Sequence, residues 1–270
     1  MGYDQRRTAP FKHLILTRFN VRLPWASRSA PDVEWLNHRF SIFERFTLPS
    51  MQAQTNQNFI WLVFFDSETP PVHRAKAMEC ATGGRFTPIF VTGDFTQSTV
   101  QAAAAPLLKG HEFLITTRFD NDDCLCRTFV EVVQNHFTRQ EFEFLNFANG
   151  YVLEGRALYA MQCQSNAFVS LVERIGPSPV TTVLSCDHTK VAQLGPVRQI
   201  LNKPGWLILL HGRNLANRRT GQRCSLTHLR CHFTIAVPMK YWALMRMRSR
   251  VKANILRWLH LCRSAVLSDP

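Results

Sequence analysis

The sequence predicts an α/β protein: a mostly parallel sheet flanked by helices, with a basic helical extension at the C-terminus. Three observations predict it. Short apolar runs rich in β-branched and aromatic residues alternate with segments of helical periodicity through the first half of the chain, the order that builds a parallel sheet. Hydrophobic residues make up 46% of the 270, enough to bury a sizeable core. The charge is segregated: up to Asp187 there are 17 Lys and Arg against 18 Asp and Glu, and from His188 onward 15 against 1, so the excess of +13 resides in the last third.

The run HLILTRFNV (13–21) reads as a strand buried on both faces. In the next segment Trp35, Leu36, Phe40, Phe43 and Phe46 recur at intervals of three to four, which predicts a helix ended by Pro49. FIWLVFFD (59–66) is a second strand, SETPPVHRAKAMECA a loop and helix, FTPIFVTG a third strand. A helix interrupted at Pro106 follows, then a fourth strand, EFLITTRFD (112–120), and a helix from about Cys124. Beyond these the pattern changes. FEFLNFANGYVLEG suggests two strands around an Asn149-Gly150 turn, and SNAFVSLVERIG a short helix.

Asp120, Asp122 and Asp123 crowd the end of the fourth predicted strand, and Asp66 ends the second. Ligands of open parallel sheets bind at the carboxyl ends of the strands. Acids at i and i+2 on an extended segment point the same way and repel unless a cation sits between them. Such hard oxygen donors suit Mn²⁺ or Mg²⁺ bound to a diphosphate. By this reading, neutralising Asp122 in the metal-free protein relieves repulsion and is expected to stabilise it. The alternative at this stage is a solvated turn whose acids cap the helix that follows.

The stretches ILTRFNVR, LPSMQAQTNQNFIWLVFFD, TTRFDNDD, NAFVSLVE, HTKV and HGRN occur in this order. In that order they resemble the bacterial rhamnosyltransferase family of GT-A-fold glycosyltransferases, over roughly residues 12 to 217. The resemblance implies transfer of a sugar, rhamnose by the family's name, from a nucleotide-sugar donor to a polysaccharide, lipid-linked or other glycan acceptor. It implies that Asp120 and Asp122 form the metal-binding DxD pair, with Asp123 as a third acid and His211 reaching the same metal. Thr17, Arg18, Asp66, Arg118 and Asp120 would contact the nucleotide and its diphosphate. An inverting transferase needs a base for the acceptor hydroxyl. Glu173, on the helix predicted after the DxD, is the first candidate and Asp187 the second. The EDxDL-type motif of many such enzymes is absent.

Two domains are expected: a GT-A-like transferase over residues 10–217 and the basic extension over 218–270. In the latter, residues 240–262 carry an apolar stripe with Trp242, Leu244, Trp258 and Leu259, and basic side chains on other faces. That is the pattern of a helix lying on an anionic membrane, or of a helix packed on a core with a solvated basic face. No nucleic-acid module accompanies the charge. There is no apolar signal core at the N-terminus and no run long enough to span a bilayer. The eight cysteines form no zinc-site spacing and read as reduced thiols. The expected location is the cytoplasm, peripherally on the inner face of the cytoplasmic membrane. Two other classes fit a chain with paired acids and a basic tail. One is a nucleotidyltransferase-like phosphate-handling enzyme, although the first strand lacks the usual Gly- and Lys-rich loop. The other is a non-catalytic membrane-surface module.

Overall fold

The computed structural model describes residues 10–24, 32–214 and 219–235. The basic segment predicted as a helix over 240–262 lies outside the described residues. In chain order the elements are β1 (Phe11–Arg18), α1 (Val33–Ile42), a π-helical turn (Phe43–Thr47), α2 (Leu48–Gln52), β2 (Ile60–Asp66), α3 (Pro71–Ala81), β3 (Thr87–Val91), α4 (Gln97–Ala104), β4 (Phe113–Arg118), β5 (Cys124–Leu125) and α5 (Phe129–Asn135). The second half adds β6 (Phe142–Phe147), β7 (Asn149–Glu154), β8 (Ala157–Gln162), β9 (Ser170–Arg174), α6 (Val191–Leu194), β10 (Val197–Ile200), β11 (Trp206–Leu210), β12 (Gln222–Cys224) and α7 (Thr227–His232).

A seven-stranded sheet runs β10-β6-β9-β4-β1-β2-β3, and a five-stranded sheet runs β12-β8-β7-β11-β5. In the larger sheet all pairings are parallel except those of β9, which lies antiparallel to β4 and β6. The expected α/β class with a mostly parallel sheet is therefore found. Its central strands are apolar on both faces because both faces are covered. Leu14, Leu16, Leu62, Phe64, Leu114 and Leu171 pack on one side against Val100 and Ala104 of α4 and against Val180 and Val183. On the other side an aromatic layer joins Phe19, Phe40, Phe43, Phe65, Trp61 and Phe86.

Four local expectations are corrected. Pro49 does not end the first helix: the chain continues helically to Gln52, through the π-helical turn that precedes the proline. A wider turn accommodates a residue that lacks the N–H of the regular ladder. The predicted helix at 165–176 contains strand β9, because the slot between β4 and β6 offers ladder partners on both edges, a tertiary setting that local periodicity does not register. The chain near Cys124 forms β5, and helix begins only at Phe129. Asn149 and Gly150 open β7 rather than forming a turn; the β7–β8 turn falls at Gly155, whose φ is +55°. Gly150 is needed for another reason: a Cβ there would overlap the indole of Trp206.

Residues 219–235, grouped with the extension in the sequence reading, lie on the smaller sheet. β12 pairs with β8, Leu229 and Phe233 are buried, and the Arg127 N–H donates to the His232 carbonyl at 2.8 Å.

Candidate active site

Parallel pairing brings the ends of β1, β2 and β4 to one edge, with Leu16 level with Arg118 and Arg18 level with Phe64. Alternation along β1 then separates two predicted residues. Arg18 projects to the same side as Arg118. Thr17 projects to the other, where it is fully buried and its hydroxyl accepts the Trp61 indole N–H at 2.9 Å. Thr17 is thus a core contact and is not brought to the acids.

Asp120 accepts from Arg118 through both oxygens, at 3.5 Å from Nε and 3.2 Å from Nη2. Burial raises its carboxyl, but Arg118 and Arg18 outweigh that and hold it below the usual carboxylate range. Arg18 is itself lowered, first by burial and then by Arg118. Two guanidinium groups, one carboxylate and His188 therefore share this corner. His188 Nδ1 lies 3.1 Å from Arg118 Nη1. Arginine can only donate, so Nδ1 accepts and the ring proton resides on Nε2. Burial and then Arg118 lower the pKa of His188, which keeps the imidazole neutral. Asp187, beside it, is lowered by the Thr189 hydroxyl, which donates to it at 2.6 Å.

Asp122 meets His211 at 3.0 Å between Oδ2 and Nε2, although 89 residues separate them. β11 delivers the histidine: its antiparallel pairing with β5, directly after the acids, brings its end alongside them. On the other side of the ring, His211 Nδ1 is 3.0 Å from His38 Nε2 of α1. Asp122 is also ion-paired to Arg39 of α1, which donates to Asn121 Oδ1 at 3.0 Å. Asn121 in turn donates to the carbonyl of Phe19 at 2.7 Å, fixing the acidic turn over the end of β1.

The remaining predicted residues lie apart from this pair. Asp123 is buried and accepts from the Leu209 N–H at 3.1 Å. Burial, then the charges of Asp122 and Asp120, push its carboxyl well above the ordinary value, which favours the neutral form. It ties the turn to β11. Asp66 is held by Arg22 at 2.7 Å and by the Glu68 N–H at 2.8 Å, at the mouth of the same edge. Glu173 is not brought to the acids. It sits on β9 opposite Leu114, four residues or about 13 Å below Arg118. Its two oxygens accept the N–H groups of Thr181 and Thr182 at 2.7 and 2.8 Å. A cavity of about 420 Å³ lies at the opposite end of the sheet, among Met51, Trp61, Gly84 and Phe86, and contains none of the acids.

A sequence model of the family described as "Putative rhamnosyl transferase" matches residues 25–223. The chain belongs to that family. The matched span of this rhamnosyl transferase family member includes Asp66, all three clustered acids, Asp187 and His211, and leaves Thr17 and Arg18 outside it. Among solved structures, residues 1–349 of S. aureus TarS in complex with UDP are similar over 74% of this chain and 60% of that one, at 11% identity and a TM-score of 0.41. A longer S. aureus TarS structure is similar over 74% and 37%, at 9% identity and a TM-score of 0.42. The chain thus spans 60% or less of these TarS chains. No curated protein matches the sequence.

Sequence reasoning missed Arg39, His38 and His188. A lone arginine within an amphipathic helix gives no sign that it will be buried, and its acidic partner lies 83 residues away. His188 stood in the HTKV stretch, but only the fold brings it to Arg118.

Proposed function

We propose that this chain transfers a sugar, rhamnose by its family, from a nucleotide-sugar donor to a hydroxyl of a glycan or lipid-linked acceptor. The observation that carries this reading is the meeting of Asp122 with His211 beside the Arg18–Arg118 pair, at the strand edge where ligands of such sheets bind.

The donor set fits a divalent cation shared with a diphosphate. Asp122 and His211 supply an oxygen and a nitrogen 3.0 Å apart, and among the described residues no group of three His, Cys, Asp or Glu is placed to hold a metal ion. A cation with two protein ligands keeps positions for water and phosphate oxygens, which suits Mn²⁺ or Mg²⁺. When bound, it offsets the negative charge that grows on the departing diphosphate.

The chain's own residues do the rest. Arg118 and Arg18 attract the diphosphate, and Asp120 fixes the Arg118 fork while limiting the local positive charge. Neutral His188 offers an N–H donor to a phosphate oxygen. Asp66, with its oxygens fixed by Arg22 and the Glu68 N–H, forms a rigid wall for the nucleoside. Asp187 is ionised at neutral pH, and its side chain is half exposed beside His188. It takes the proton of the acceptor hydroxyl as that oxygen attacks, in place of Glu173.

The test is release of nucleoside diphosphate from a panel of nucleotide-sugars with glycan acceptors, in Mn²⁺, in Mg²⁺ and in a chelator. Release from one sugar donor, abolished by the chelator, is the expected result. Release from none overturns the reading, and release indifferent to the chelator removes the cation from it.

A further inference from the structure

Glu173 occupies an unusual position for a glutamate: it is buried on the antiparallel strand inside the larger sheet, next to its central strand β4. Both carboxylate oxygens are spent on consecutive backbone N–H groups. The second belongs to Thr182, whose φ of +59° lies in the left-handed region that a β-branched residue seldom adopts. Thr182 is itself fully buried. Such an outlier persists only where its surroundings over-determine it.

The surroundings do so along a line. Glu173 lies level with Leu114 on β4. Two residues further along β4, the Thr116 hydroxyl accepts the Val183 N–H at 2.8 Å. Two residues further again, Arg118 meets His188. From the other side, Gln101 of α4 donates to the Val180 carbonyl at 2.7 Å, and Gln97 donates to that of Thr181. Val180 and Val183 insert into the core, and Ser165 donates to the His188 carbonyl at 2.6 Å. Residues 180–188 therefore climb one face of β4, fastened at its lower, middle and upper levels. The top of this segment carries Asp187 and His188.

We propose that Glu173 and Thr182 form a clamp that sets the height of residues 180–190 on β4, so that Glu173 is a positioning residue for Asp187 and His188. A carboxylate suits the task because it accepts two N–H bonds at once, whereas a glutamine would turn an N–H₂ toward one of them. The catalytic meaning of the clamp rests on the transferase reading above; its existence does not.

The experiment uses the full chain with Glu173→Gln, and with Thr116→Val as a second variant that removes the middle fastening. Hydrogen exchange of the ligand-free protein is followed over residues 183–190. Faster exchange there by about tenfold in Glu173→Gln, and a smaller increase in Thr116→Val, is expected. In turnover, kcat of Glu173→Gln should fall roughly tenfold because Asp187 is displaced, and the donor KM should rise roughly tenfold because His188 is displaced with it. Unchanged exchange in a folded Glu173→Gln overturns the clamp. If that variant does not fold, Glu173→Asp, one methylene too short to reach both N–H groups, takes its place, and unchanged exchange there overturns the clamp instead. A fall in kcat with exchange and KM both unchanged also overturns it and makes Glu173 the base. Absence of transfer in the wild-type protein refutes the transferase reading alone, because the exchange measurement needs no activity.

Discussion

Replacing Asp122 by asparagine separates two accounts of the acidic turn. If the three acids merely repel, removing one charge stabilises the metal-free protein. The structure argues the reverse, because Asp122 is paired with Arg39 and both side chains are nearly inaccessible, at 11% and 6% exposure. Among the described residues the Arg39 Nε makes no hydrogen bond, and beside Asp122 its guanidinium meets Asn121 and the Trp35 ring. Removing one member of a buried ion pair costs about 3–5 kcal/mol, because the other charge stays buried without compensation. The asparagine oxygen still accepts one N–H, which places the cost at the low end, about 3 kcal/mol. For a chain of this size that is a fall in Tm of about 6–12 °C. The assay is thermal unfolding in chelator at neutral pH, with Asp120→Asn as comparison. The Asp120 side chain is 31% exposed, so its loss should cost about 1 kcal/mol or less. Adding Arg39→Met to Asp122→Asn should recover part of the loss, since the orphaned charge is then gone. If Asp122→Asn melts at or above the wild type, the ion pair does not govern the turn and the repulsion account stands. Whatever its stability, Asp122→Asn should nearly abolish transfer.

Other consequences can be measured alongside. His13 is buried between Thr117 and Gln134, and burial lowers its pKa from 6.5 to about 3. The unfolded chain takes up this proton near pH 6.5 and the folded chain only near 3, so stability is full above 6.5 and falls as pH drops between these values, by roughly 5 kcal/mol in all. Urea unfolding across that range should show the decline in the wild type and lose much of it in His13→Asn; parallel profiles would refute the assignment. Asp187→Asn should lower kcat by a factor on the order of 10² or more with little change in donor KM, and a change confined to KM would make Asp187 a binding residue. Gly150→Ala forces the chain against Trp206, and unfolding should show a loss of about 1–3 kcal/mol or more. No helix among the described residues is long and apolar enough to cross a membrane. The 15 basic residues after Asp187 instead predict salt-sensitive co-sedimentation with anionic vesicles, lost in a version ending near Val237. Equal sedimentation of both versions would sink that idea.

The sequence by itself determined the four parallel strands β1 to β4 of the larger sheet and the acids at their carboxyl ends. Buried parallel strands need apolar residues on both faces, and FIWLVFFD and FLITTRF carry that requirement in their composition, so the acids that end such runs are placed without further information. The resemblance carried by HGRN, rather than any pattern of spacing, singled out His211. What the sequence could not convey was pairing between distant segments. The stretch around Glu173 has a pattern short enough for helix or strand, and only the gap between β4 and β6 chooses strand and carries the glutamate away from the acids. Asp122 looks like one of three repelling acids until α1 folds across the turn and brings Arg39 against it. Gly150 reads as a turn residue until Trp206 of a strand 56 positions later occupies the space a side chain would need. In each case the deciding partner is close in space and remote in sequence. Burial then turns that contact into kilocalories, which local composition does not record.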